Sequence, residues 1–347
     1  MLPFVSIVIP MRNEAGHLGR CIDAILAQDY PANRFEVIVV DGESDDNSLD
    51  VLRAYGGRVR ILHNPARIVP TAMNIGIRAA QGQIVARIDA HTVIEPDYIR
   101  IGVETLERSG ADNVGGPMHA VGGGAFGDAV ALAMSSRFGI GAYFHFASAD
   151  RDVDTVYMGM YRRTAFEHVG LFDEELVRNQ DDELNYRLRK HGGRIFLTTR
   201  MRSHYQNRQS LKMLARQFFQ YGVWKVRVLQ KHPRQMSVRH FVPPAFVAAL
   251  VVTGLLAPVA WGARLLFATI LGAYGMALTA AAATVAARQG WRRFPLVLSA
   301  FAVMHVGWGV GFLVGVVRFG HRWLIDEPSP PRLRAAAKEP LPASAGE

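Results

Sequence analysis

The chain has 347 residues, half of them hydrophobic, a net charge of +9 and one cysteine, Cys21. That length allows one large domain or two smaller ones with cores of their own. A single cysteine excludes an internal disulfide and fits a reducing compartment.

From the N-terminus, "MLPFVSIVIP" lacks a basic n-region and a small-residue cleavage site. The N-terminal domain is therefore expected to stay on the side of the membrane where it is made. Apolar, β-branched runs then recur as "FVSIVI" (Phe4–Ile9), "FEVIVV" (Phe35–Val40), "RVRIL" (Arg58–Leu62) and "QIVARI" (Gln83–Ile88). Helix-period stretches separate them: "EAGHLGRCIDAILAQ", "DNSLDVLRAY" and "PTAMNIGIRAAQ". Alternation of this kind predicts βαβ units on a parallel sheet buried on both faces. Ligands of such sheets bind outside the carboxyl ends of the strands. "PMRNE", "DGESDD" and "DAH" fall there.

The glycine-rich middle, Gly115 to Phe146, reads as loops and short helices shaping a pocket. "NQDDELNYRLRKHGGRIF" reads as a helix start followed by a short strand. Leu211–Leu229 has apolar positions at helical spacing with Lys and Arg between them, the pattern of an amphipathic helix on a membrane surface. From Arg187 to Arg239 there are fourteen Lys/Arg and no acidic residue. Beside a membrane segment, such a run points to the anionic cytoplasmic leaflet rather than to nucleic acid.

Phe241–Ala263, Leu265–Ala287 and Phe294–Val317 contain no Asp, Glu, Lys or Arg. Each can cross a hydrocarbon core of ~30 Å at 1.5 Å per residue. The expected organisation is a catalytic-type domain over 1–232, whose last part, 210–232, is the interfacial helix. A membrane domain of about three spans follows over 240–320, then a disordered tail over 326–347. Three spans would put that tail across the membrane from the N-terminal domain. Yet Arg318, Arg322, Arg332, Arg334 and Lys338 follow the last span, against the positive-inside tendency. A re-entrant segment is the other arrangement.

The strand-end residues suggest their own chemistry. Asp41 closes a strand, where its carboxylate can accept from a base or ribose, and Gly42 permits a tight turn. Asp89 and His91 share one side of an extended segment and can meet a divalent cation. Asp181 and Asp182 equally suit a helix N-terminus as plain complements to the dipole.

Taken in order, "VSIVIPMRNE", "VIVVDGESDDNS", "RIDAH", "GLFDEEL", "QDDELNYRLR" and "QYGVW" resemble family 2 glycosyltransferases with the GT-A fold, over roughly Phe4 to Lys231. "DAH" with "RNQDDELNYRL" and C-terminal spans is most similar to the exopolysaccharide glucosyltransferases of succinoglycan pathways. The resemblance implies an α/β, Rossmann-like domain and an inverting transfer from a nucleotide sugar, UDP-linked, to a lipid-linked saccharide. It implies a site at the plasma (inner) membrane, with the catalytic domain cytoplasmic. Pro10, Arg12, Asn13 and Glu14 match the first nucleotide-contacting loop, and Asp41 the base-recognising carboxylate. Asp89 matches the first aspartate of the family's DxD, with His91 in its last position, so Mg²⁺ or Mn²⁺ is implied at Asp89 and His91. Asp181 matches the catalytic base of an "ED" pair whose Glu is here Gln180, and Asp182 is the fallback. Arg208 is implied beside the leaving diphosphate and His204 as a further metal ligand. Gln220 and Trp224 match the acceptor side of the QxxRW motif. Val223 stands where that motif has Arg, against an enzyme that holds a growing polymer. Two other functions fit parts of the pattern: a polyprenyl-phosphate sugar synthase, and a non-catalytic membrane scaffold that binds nucleotide.

Overall fold

The structure, a computed structural model, describes residues 1–121, 124–139, 143–206, 210–324 and 330–333. Arg208, Arg334, Lys338 and most of the tail expected to be disordered lie outside the described residues. The first half alternates as expected: β1 (Val5–Met11), α1 (Ala15–Leu26), β2 (Phe35–Asp41), α2 (Ser48–Arg53), β3 (Arg60–His63), α3 (Val69–Ala79) and β4 (Ile84–Arg87). Then come β5 (Thr92–Ile94), α4 (Tyr98–Ser109), β6 (Asn113–Gly116), β7 (Met118–Val121) and α5 (Ala125–Met134). The domain closes with β8 (Arg151–Asp152), β9 (Tyr157–Arg162), α6 (Arg163–Val169), α7 (Gln180–Lys190), β10 (Ile195–Leu197) and β11 (Ser203–Gln206). Four long helices follow: α8 (Leu211–Lys231), α9 (Val238–Leu256), α10 (Trp261–Gln289) and α11 (Phe294–Arg318).

An eight-stranded sheet runs β3-β2-β1-β4-β9-β6-β10-β8, and a small sheet runs β5-β11-β7. Period-two alternation divides each central strand between two cores. In β2, Val37 and Val39 join the cluster under α1 and α4, whereas Ile38 and Val40 join the cluster under α3, α6 and α7. Burial on both faces is why these strands read as unbroken apolar runs. The sheet is not wholly parallel, as the sequence led one to expect: β9 lies antiparallel between β4 and β6. The chain re-enters the sheet after β8 with Tyr157 beside Thr92, at the carboxyl end of β4. From that end it can only run backwards. The order reverses between β1 and β4, so the ligand crevice opens at their carboxyl ends.

The glycine-rich middle contributes α5, whose Ala129, Val130, Ala133 and Met134 pack with Leu214 and Phe218 of α8, Leu278 and Ala282 of α10, and Val297, Ala300 and Phe301 of α11. Helix α8 lies alongside α11. Gly307, Gly311 and Gly315, four residues apart on α11, face Phe218, Phe219 and Val223, and Gly222 of α8 faces Trp308 and Phe312 in return. Small residues at this spacing let two backbones approach closely. The basic side chains of α8 turn largely into the domain: Lys225 pairs with Asp182, Arg227 with Glu175, and Lys231 with Asp173 and Glu175. Much of the basic run is thus neutralised by the protein itself.

Helices α9, α10 and α11 are long and apolar enough to cross a membrane. Their boundaries differ from the charge-free segments because the chain turns at Ala257–Ala260, around Pro258. Arg264, expected to separate two spans, sits in the first turns of α10 and donates to the carbonyls of Ala257 and Pro258. Crowding at the glycine row gives a contrast. A Cβ at Gly311 would run into the backbone carbonyl of Phe219, while one at Gly275 meets nothing. Gly311→Ala is expected to destabilise by about 1–3 kcal/mol and Gly275→Ala to be neutral or slightly stabilising. Thermal unfolding of the two detergent-solubilised variants checks this.

Candidate active site

The site begins with the loop after β1. Asp41, buried at the end of β2, accepts from Ser44 N at 3.2 Å and Ser44 Oγ at 2.6 Å. Ser44 Oγ in turn accepts from Asn13 N at 2.9 Å. Asn13 adopts φ +56°, a left-handed backbone that asparagine tolerates. Its side chain exchanges two hydrogen bonds with Asp45, at 2.7 and 3.0 Å. Pro10 is buried in β1 and Arg12 is exposed. Glu14 is fixed by its N–H to Ser48 Oγ at 2.8 Å, and its carboxylate meets His91 Nδ1 at 3.1 Å. The expected nucleotide loop, Asp41 and the "DAH" turn are therefore one connected network.

A residue absent from the sequence reading stands at its centre. Arg87, the last residue of β4, is buried, and its Nε donates to Asp89 Oδ1 at 2.8 Å. Its Nη1 lies 3.9 Å from Asp181 Oδ2. Burial alone would raise the Asp89 carboxyl, but Arg87, with His91 and Tyr157, overcomes it and holds the group below the ordinary carboxylate range. Asp181 goes the other way: its recess raises its pKa against the pull of Arg87, and Asp182 and Asp89 add to the rise. Its side chain nevertheless keeps 40 % of its surface open to the crevice. Two carboxylates that share one arginine are thus driven apart in basicity. The signal in the sequence was a lone charge in the apolar run "QIVARI".

Helix α7 presents Asp181 and Asp182 in its first turn. Asn179 precedes them at φ +60° and donates to the Tyr221 carbonyl at 3.1 Å. Asp182 is held by Lys225, and its carbonyl accepts from Gln235 at 3.0 Å. Gln220 accepts from Arg178 at 3.2 Å, next to this helix start, whereas the Trp224 ring packs on Phe319 at 5.5 Å. The two residues share a helix face but serve different neighbours. Arg208 lies outside the described residues.

His204 bonds Glu95 Oε1 at 2.7 Å and lies 5.9 Å from the His119 ring. With His91, His17, Arg20, Val93 and Val121 it lines a cavity of about 200 Å³. Among the described residues, no group of three or more His, Cys, Asp or Glu is assembled to cage a metal. Asp89 and His91 alone suit an ion whose remaining ligands are substrate phosphates and water.

Beneath this first turn, Glu183 is fully buried and bound twice by Arg187, at 2.7 and 2.8 Å, and by His232 at 2.9 Å. Arg187 also donates to the carbonyls of Val169 and Leu171. Arg187→Met would leave a buried carboxylate short of its cation and is expected to cost about 3–5 kcal/mol. Denaturant unfolding measures the loss.

Comparisons with known proteins converge on one family. The pattern of glycosyl transferase family 2 matches residues 6–170. The succinoglycan biosynthesis protein ExoA of Rhizobium meliloti (strain 1021) is 33% identical over 322 residues, spanning 91% of this chain and 96% of that protein. A dolichyl N-acetyl-alpha-D-glucosaminyl phosphate 3-beta-D-2,3-diacetamido-2,3-dideoxy-beta-D-glucuronosyltransferase of Methanococcus voltae is 28% identical over 267 residues, 73% of this chain and 83% of its own. Among solved structures, the mannosyltransferase PcManGT from Pyrobaculum calidifontis, in complex with GDP-Man and Mn²⁺, superposes with a TM-score of 0.57 at 19% identity. It covers 89% of this chain and 87% of its own, and shows the same fold. The chain belongs to glycosyl transferase family 2: it is a glycosyltransferase whose GT-A domain is followed by long apolar helices.

Proposed function

We propose that this enzyme moves a sugar, glucose, from a UDP-sugar to a lipid-linked saccharide in exopolysaccharide synthesis, with inversion at the anomeric carbon. The observation that carries the reading is Arg87 between Asp89 and Asp181. One guanidinium there couples a carboxylate held below the ordinary range to a carboxylate of raised basicity. The ExoA relative supports the pathway by its name. A protein of related fold, S. aureus TarS, carries UDP-GlcNAc in its solved structure, in keeping with a UDP-linked donor.

In this reading Asp41 receives the base, while Pro10, Arg12, Asn13 and Glu14 form the wall that the nucleotide lies against. Asp89 and His91 would hold Mg²⁺ or Mn²⁺, with imidazole favouring manganese. When bound, the ion neutralises the charge that grows on the departing diphosphate. Asp181 takes the proton of the acceptor hydroxyl as it attacks from the face opposite the diphosphate. One in-line displacement needs no covalent intermediate and turns an α-linked donor into a β-glycoside. Lys225 pairs with Asp182, which leaves Asp181 as the base. Gln220 and Trp224, on the helix behind Asp181, border the acceptor's approach.

Asp181→Asn is expected to lower turnover by roughly two orders of magnitude or more, with donor affinity little changed. Asp89→Asn is expected to weaken both. Steady-state kinetics beside nucleotide-sugar binding separates the two; a fully active Asp181→Asn would refute the assignment.

The pH profile tests Arg87. A base must be deprotonated, so the rate falls as pH drops through the Asp181 pKa, which lies above the ordinary carboxylate range. Arg87 pulls that pKa down. Arg87→Gln is therefore expected to move the acid limb of kcat to higher pH.

A further inference from the structure

We infer that the chain enters the membrane as a hairpin, out along α9 and back along α10, while α11 does not cross. Both ends of the protein then lie on one face of the bilayer.

The anchors of α11 carry the inference. Its first turns, through Val297, Ala300 and Phe301, pack with α5 of the catalytic domain. At mid-helix, His305 bonds the Phe138 carbonyl at 3.0 Å. Just past its end, the Phe319 carbonyl accepts from Gln230 of α8 at 2.8 Å, and Arg322 lies 3.4 Å from Glu175. Start, middle and end of α11 all touch the catalytic domain or α8. A helix of 25 residues is about 37 Å long at 1.5 Å per residue. A helix standing upright across the bilayer carries one of its ends away from a domain seated on one surface, and α11 carries neither away. Helix α8 runs beside it in the same direction, since Ala215, Phe219 and Val223 meet Gly307, Gly311 and Gly315 in turn. An interfacial α8 therefore brings α11 into the interface with it. Farther on, the Pro331 carbonyl accepts from Leu171 N at 2.7 Å, and Leu333 packs on the core below α6 and α7. Residues 330–333 thus lie against the catalytic domain.

The hairpin behaves differently. Its base is tied down, α9 by Arg239 at 3.6 Å from Asp154 and by Val247 and Pro243 against Gly309, and α10 by Leu278 and Ala282 in the cluster with α5 and α11 and by Tyr274 Oη at 3.3 Å from His305 Nδ1. Past that base, Leu255, Val259 and Trp261 are 75, 83 and 71 % exposed. Such apolar surface needs lipid. The one charge near its tip, Arg264, is bonded to carbonyls of the turn. Between α8 and α11 lies an apolar groove of about 600 Å³, lined by Ala215, Phe219, Val303, Val306 and Val310 with Arg216. Charge placement agrees. Arg288, Arg292 and Arg293, at and just past the end of α10, and Arg318 and Arg322, at and just past the end of α11, fall on one side together, as the positive-inside tendency requires. Three spans would split them.

The test uses the full chain with epitopes at both termini, in sealed membrane vesicles of each orientation. Protease is expected to remove both epitopes from the same vesicles and neither from the others. On a Cys21→Ala background, Val317→Cys is expected to react with an impermeant maleimide only in vesicles whose N-terminal epitope is accessible. Val259→Cys is expected not to react in those vesicles. A C-terminal epitope protected where the N-terminal one is cut, or Val317→Cys labelled only from the opposite face, would overturn the inference. None of these readouts depends on transferase activity.

Discussion

Arg87 leaves the end of β4 into a recess where two carboxylates, Asp89 and Asp181, meet its guanidinium. One comes from the turn that follows the same strand and the other from the first turn of α7, almost a hundred residues later. A buried cation must be compensated. That requirement fixes how α7 docks on the sheet, and hence where the open side of Asp181 faces. The polar spine behind α7 repeats the constraint one layer deeper. Asn113 of β6 and Tyr161 of β9 both donate to Asn185 Oδ1, at 2.9 and 3.3 Å, and Glu183 is closed by Arg187 and His232.

Much of the catalytic half was legible because its signals are local. Strand ends rich in Asp and Asn, separated by helix-period stretches, place Asp41 and Asp89 at the mouth of a parallel sheet from spacing alone. Connections between loops were not legible. Nothing in "PMRNE" announces that Glu14 reaches His91, or that Ser44 joins Asp41 to Asn13. Arg87 was visible as an oddity in an apolar run, but its partner on α7 belongs to tertiary structure. The antiparallel β9 was missed for a similar reason: "YMGMYR" carries no mark of the direction in which the chain returns.

The basic run changes character once folded. Fourteen cations without an acid in the local sequence look like a surface made for anionic lipid. Folded, Arg194, Lys225, Arg227 and Lys231 meet carboxylates contributed by distant segments, while Arg187 meets Glu183 one turn earlier on its own helix. Charge runs report local composition, whereas the field at a surface depends on what the fold sets opposite. The glycines of α11 carried a better signal. Their spacing of four within "GWGVGFLVG" marks a face where another helix comes close, and that partner is α8.

The contact between α8 and α11 has a consequence for anyone who would divide the protein. Phe218 and Phe219 of α8 are shielded by the glycine face of α11, and the same α8 supplies the lysine that holds Asp182. A cut after residue 232 falls between elements in the chain but through the middle of a packed core. The truncated piece would present a bare aromatic ridge to water while its catalytic helix relied on that ridge's geometry. A water-soluble version would have to keep α11 and redesign the lipid-facing hairpin instead. Modularity here runs between the outer part of the α9–α10 hairpin and the rest, rather than between a soluble half and a greasy one.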